Sequence, residues 1–195
     1  MMCNKLQHYS LVSKAFLVLY VLSVFQGSIA QEFIWAPAFP VGSSIPEISA
    51  LDQNGEERTF NDLAGEKGML YMLSRSFDWW PFCISQLVQL VEISDQFEAM
   101  GLEVVTMTYD SVDFLKTVEE DQGVEFTLLH DEEVSHVNNL GIRNLDYDLS
   151  HRAYGIPYPG IFLLDHKGVI QAKFAEESYR DRPDFANILE AATNL

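Results

Sequence analysis

Apolar positions change their spacing several times along the chain, and each change marks an expected element. The segment "EISALDQNGEERTF" alternates on both sides of Asn54-Gly55, which predicts a β-hairpin. "GMLYMLS", from Gly68, is nearly continuous in apolar residues and predicts a buried central strand. From Pro81 the spacing turns helical. Ile84, Leu87, Val88 and Val91 form a stripe that Leu90, Phe97 and Met100 broaden, and Gly101 ends it. "LEVVTMT" reads as a strand, and Asp110 or Ser111 can cap a helix running to about Gln122 with Gly123 closing it. "VEFTLL" predicts another strand and "DEEVSHVNNLG" a short helix ending at Gly141. "GIPYPGIFLLD" and "VIQAKFA" flank the turn His166-Lys167-Gly168 as an antiparallel pair. "RPDFANILEAATN" supplies a final amphipathic helix with Pro183 in its first turn.

Strands alternating with helices, then a hairpin and a closing helix, give an α/β domain: a central mixed sheet with helices on both faces and an N-terminal hairpin extension. The domain is expected over residues 46–195. Residues 31–45, "QEFIWAPAFPVGSSI", lack periodicity and predict an extended arm lying over something apolar. Residues 1–30 differ again. Lys5, His8 and Lys14 precede the apolar run Ala15 to Phe25, and Ser28 and Ala30 follow, the pattern of a secretory signal peptide cut after Ala30. The run is well short of the ~20 residues that span a bilayer, so no stable membrane anchor is expected after cleavage. The expected location is exported, either periplasmic or extracellular.

Charge narrows the partners. The formal net charge is −17, and removing Lys5 and Lys14 with the leader makes it more negative, so nucleic acid is a poor partner. The acids are scattered, with only "EEDQ" and "HDEE" as short clusters, which suits a solvated surface. The chain has two cysteines, Cys3 and Cys83, and the first leaves with the leader. A lone Cys83 forms no intramolecular disulfide in a compartment where disulfides are ordinary; it is either buried and inert or kept for reactivity.

Cys83 ends the stretch "SRSFDWWPFC" at the strand-to-helix junction. Together with "YPGIFLLDHKG" and the order of elements, this stretch resembles the thioredoxin-fold redoxins, specifically the alkyl hydroperoxide reductase and thiol-specific antioxidant group. The resemblance covers roughly Val41 to Leu189. Members with D-W-C-P-x-C at the junction cycle between dithiol and disulfide; here Trp80 stands at the first cysteine, and one sulfur cannot run that cycle. The peroxiredoxin pattern of the group places its peroxidatic cysteine at Cys83. Ser76 then stands at that pattern's proline, Trp80 at its threonine and Pro159 at its arginine. Pro159 is instead similar to the thioredoxin cis-proline, which implies a cis Tyr158–Pro159 bond facing the Cys83 turn.

The residues themselves pull in two directions. Pro81 suits the first helical position, so Cys83 lies in a first turn where free N–H groups and the dipole favour a thiolate, and Arg75 can add charge. Trp79, Trp80 and Phe82 surround it with apolar surface, which favours the neutral thiol. Two readings follow. In one, an exported oxidoreductase uses Cys83 on a peroxide or on the disulfide of a disulfide-bearing partner protein, and an external thiol reductant resolves the sulfenic acid or mixed disulfide. In the other, a redox-inactive binding module holds an extended partner segment in a groove of Trp80 and Pro159. No cofactor is implied. His130, Asp131 and His136 lack a metal-ligand spacing, with His130 placed to cap a helix, and Asp146 and Asp148 lack the glycine and glutamate of a calcium loop.

Overall fold

The computed structural model describes residues 33–178 and 180–195. The signal-peptide reading of residues 1–30 lies outside the described residues. Seven strands form one sheet in the order β2-β1-β5-β4-β3-β6-β7. β1 (Ser49–Asp52) and β2 (Glu57–Thr59) make the expected hairpin. Asp52 holds its turn by accepting the amides of Asn54 (2.8 Å) and Glu56 (3.0 Å), and Gly55 supplies the positive φ of 76°. A single turn of helix, α1 (Phe60–Leu63), follows.

β3 (Gly68–Leu73) is buried at every residue, between β4 (Leu102–Thr108) and β6 (Gly160–Asp165). It runs parallel to β4 and antiparallel to β6. β4 runs parallel to β5 (Thr127–His130), and β6 antiparallel to β7 (Ile170–Ala175). The helices are α2 (Pro81–Glu98), α3 (Val112–Gln122), α4 (Ser135–Asn139) and α5 (Phe185–Ala192). α2, α3 and α5 bury Leu87, Leu90, Phe97, Leu115, Val118 and Ile188 against Leu70, Met72, Val104, Leu128 and Ile161 of the sheet. No helix among the described residues is long and apolar enough to cross a membrane.

The architecture is the mixed α/β fold expected, with local departures. α2 buries Leu87, Leu90 and Phe97 as expected, but its inner face is shifted to take in Cys83, Gln86 and Ser94, whereas Val88 is 37% exposed. Gln86 and Ser94 are polar and Cys83 is small, so apolar spacing alone did not mark this side of the buried stripe. The strand expected over "VEFTLL" is confined to Thr127–His130. "DEEVSHVNNLG" begins with a tight turn at Glu132–Val134 before the short α4. Asp184 caps α5, accepting the Ala186 amide at 2.9 Å, so Pro183 precedes the helix instead of joining its first turn.

The arm winds through turns instead of running extended: the Phe39 amide donates to the Ala36 carbonyl and the Ser43 amide to the Pro40 carbonyl, each at 3.0 Å. Trp35 is buried on Phe162, ring centroids 4.4 Å apart, and its indole N–H donates to the Tyr158 carbonyl at 2.8 Å. Gly160 makes this possible, since a Cβ there would lie 2.5 Å from the indole. Lys173 Nζ closes the contact by donating to the carbonyls of Trp35 (2.7 Å) and Ala36 (3.1 Å).

Candidate functional site

The site is built where β3 hands over to α2. Past Leu73 the ladder continues for one bond, Ser74 N–H to the Met107 carbonyl at 2.9 Å, and then the chain must turn through Arg75–Trp80. Asp110, just beyond β4, organises that turn. It accepts the Ser76 hydroxyl (2.7 Å), the Phe77 amide (2.6 Å) and the Thr108 hydroxyl (2.9 Å). Burial pushes the Asp110 carboxyl above its ordinary range against the pull of these donors. Ser111 caps α3, accepting the Phe114 amide at 3.4 Å, and leaves Asp110 to this second task.

Trp80 takes the N-cap of α2 in an extended conformation and Pro81 opens the helix, where its missing N–H costs no bond. Cys83 therefore sits in the first turn, with its amide donating to the Trp80 carbonyl at 2.9 Å. Its sulfur is 0% exposed. Two donors converge on Sγ: the Arg75 amide at 3.4 Å and Arg182 Nη2 at 3.4 Å. The Arg75 guanidinium lies over the Trp80 ring, 4.5 Å from its centroid. Burial pulls Arg75 below its ordinary value and Arg182 adds to that, while Cys83 pulls it back up. Trp80 meets Trp79 edge to face at 5.0 Å, Arg152 covers Trp79 at 4.4 Å, and the Trp79 indole donates to the Tyr109 hydroxyl at 3.1 Å. The Trp79–Trp80 pair is thus flanked by a guanidinium at each end, Arg75 on Trp80 and Arg152 on Trp79.

Of the residues expected at the site, Cys83, Arg75, Trp80 and Pro81 come together. Pro159 is buried one residue before the Gly160–Leu73 pair, at the same end of the sheet. The cis bond implied for Tyr158–Pro159 is corrected: no described peptide bond is cis. The Tyr158 amide donates to the Ile142 carbonyl at 2.8 Å and its carbonyl accepts from Trp35, which holds the chain extended as it enters β6. With the cis bond goes the main support for a peptide groove of Trp80 and Pro159. Arg182 and Asp110 were missed as site residues. Arg182 is 99 positions from Cys83 in a loop without periodicity, and Asp110 looked like half of a helix cap.

His130, Asp131 and His136 line a different place. Asp131, not His130, caps the turn, accepting the amides of His136 (2.8 Å) and Val137 (3.1 Å). His136 Nε2 accepts the Ser49 amide at 3.3 Å, so Nδ1 carries the proton and donates to Asp131 at 2.9 Å. Both ring nitrogens serve the fold. His130 Nδ1 lies 2.9 Å from the Asp110 carbonyl. The adjoining cleft, about 580 Å³ and lined by Ser49, Glu57, His130, Glu133 and His136, holds no cysteine.

The model of the AhpC/TSA family matches residues 41–173. Peroxiredoxin Bcp of Escherichia coli K12 is 27% identical over 137 residues, 68% of this chain and 83% of that protein. The peroxiredoxin of Nanoarchaeum equitans is 24% identical over 165 residues, 77% of this chain and 68% of that protein. Among solved structures, peroxidoxin BcpB from Mycobacterium tuberculosis superposes with a TM-score of 0.71 at 15% identity, covering 80% of this chain and 98% of its own. A thiol peroxidase from Chromobacterium violaceum gives 0.69 at 19% identity, covering 80% and 88%.

Proposed function

Since this chain belongs to the AhpC/TSA family, we propose that it is an exported thiol peroxidase of the redoxin type that works through one cysteine, Cys83. The observation that carries the reading is the convergence of the Arg75 amide and Arg182 on Cys83 Sγ in the first turn of α2. N–H donors and a helix start suit an anionic sulfur. The thiolate attacks one peroxide oxygen; the S–O bond forms, the O–O bond breaks, and the departing oxygen leaves with the electron pair and takes a proton from water. Cys83 becomes a sulfenic acid and the peroxide an alcohol or water. With the sulfur fully covered at rest, peroxide enters only when a covering side chain swings aside.

Cys3 and Cys83 are the only cysteines in the sequence, and Trp80 occupies the place where a second junction sulfur would stand. Resolution therefore falls to an external thiol, which condenses with the sulfenic acid to a mixed disulfide and water; a second thiol then frees Cys83. Adding dilute hydrogen peroxide and a sulfenic-acid trap tests this. Wild type is expected to carry one adduct on Cys83, and Cys83→Ser none. A wild-type chain that is labelled only after denaturation overturns the reading. Export rests on the leader-like pattern of residues 1–30, and mature protein beginning at Gln31 is the expected product.

A further inference from the structure

We propose that Arg182, delivered from the loop between β7 and α5, is the catalytic cation of the Cys83 site. The proposal rests on the reading of Cys83 as the reactive thiol. Arg182 Nη2 touches the reacting atom, 3.4 Å from Sγ, while Nη1 donates to the Asp181 carbonyl at 2.6 Å, which orients the guanidinium. The chain carries 12 lysines and arginines against 29 acids, yet two guanidinium-bearing residues approach this one covered sulfur. Like charges held close repel, and each lowers the other's tendency to stay charged. The Arg182 guanidinium donates directly to Sγ, and a charged donor is matched better by a thiolate than by a neutral thiol, which is a weak acceptor.

The two arginines divide the work. Arg75 points its backbone amide at the sulfur and lays its guanidinium on Trp80, so its direct contact is a fixed neutral donor. Arg182 brings a full charge and several N–H groups in one plane. In the resting site these hold Sγ. As the O–O bond breaks, the same donors face the oxygen on which charge develops, the point where fixed donors gain most. Arginine keeps its protons, so it stabilises this charge and the proton that neutralises the departing oxygen comes from water.

Arg182 is placed by the closing helix. Pro183 is buried, Asp184 caps α5, and Phe185 and Ile188 enter the same apolar cluster as Cys83 and Leu87. Docking of α5 therefore sets the guanidinium over the sulfur and links the C-terminal helix to thiol chemistry at the start of α2.

The test uses the full chain, hydrogen peroxide with a sulfenic-acid trap, and iodoacetamide alkylation followed across pH. Arg182→Met is expected to slow sulfenic acid formation by about tenfold or more, the loss of one charge-assisted contact to the reacting atom. Its alkylation profile should move to higher pH, a change that loosened packing alone would not produce. Arg182→Lys should retain more rate than Arg182→Met, and Arg180→Met should stay within about twofold of wild type. If Arg182→Met melts well below wild type, Arg182→Gln keeps an N–H donor without the charge and answers the same question. Rates and pH profile unchanged in both neutral variants, with a reactive wild type, overturn the proposal and leave the Cys83 reading standing. A wild type that forms no sulfenic acid overturns that reading, and this proposal with it.

Discussion

Two buried carboxylates at neighbouring strand ends organise two turns by similar means and to different ends. Asp110 follows β4 and gathers hydroxyls and an amide from the β3–α2 turn; Asp131 follows β5 and gathers amides and an imidazole from its own turn. Around Asp110 the donors are neutral, and burial pushes the carboxyl up. Around Asp131 burial opposes the charge as well, but donation from the side chain and backbone of His136 and from the Val137 amide outweighs it, and the carboxyl titrates below its ordinary range. The first turn leads into a cysteine with no residue at positive φ. The second bends Glu133 and Val134 to φ of 54° and 58°, a left-handed path that ends at no nucleophile. An ordered acidic turn is thus no sign of chemistry by itself; what distinguishes the Asp110 turn is the sulfur it aims.

The sharpest way to break the comparison is to remove each carboxylate. Asp110→Ala and Asp131→Ala should each cost roughly 2–4 kcal/mol in denaturant unfolding, because buried donors lose their acceptor. Only Asp110→Ala should also slow Cys83 sulfenic acid formation, by about tenfold or more at a temperature where both variants are folded. Equal rates in the two variants would dissolve the distinction between them.

A smaller effect sharpens it through pH. Asp131 has its folded value lowered, so the stability it contributes is present above the unfolded value of about 3.9 and is lost as pH falls through the folded value. Asp110 has its folded value raised, so the folded state binds the proton more tightly and acidification from neutrality relieves the cost of burying its charge. The stability gap between wild type and Asp131→Asn should therefore narrow below about pH 4, and the gap between wild type and Asp110→Asn should move the opposite way. Melting temperatures between pH 3 and 7 check the signs.

The smallest effect concerns backbone alone. Glu133 is exposed and sits at positive φ, so Glu133→Gly should stabilise by about 0.5–1 kcal/mol without touching Cys83. An equal glycine gain is not expected at exposed positions of α3, where helix propensity opposes it.

These regions were legible in the sequence to different depths. Pro81 opening α2, Ser111 and Gly123 bounding α3, and the Asn54-Gly55 hairpin are local signals, each decided within a few residues, and the structure keeps them. Cys83 was legible as a position because the helix start was. Its surroundings were not, since Arg182 arrives across 99 residues by the docking of α5, and no periodicity records that approach. The inner face of α2 was read only in part, since Gln86 and Ser94 are buried there beside Leu87, Leu90 and Phe97. His130 was read as a cap where Asp131 does the capping, a shift of one residue at a strand end that hydropathy does not resolve.

The seating of Trp35 on Gly160 has a consequence in time. The indole binds a carbonyl 123 residues further along the chain, and its slot is completed only when β6 and the Lys173 side chain of β7 are in place. During synthesis Trp35 emerges long before anything it can touch. The native seat exists only once those strands have paired, so native burial of Trp35 cannot precede their pairing. Fluorescence of this indole would register the moment at which the strands that form its seat have met.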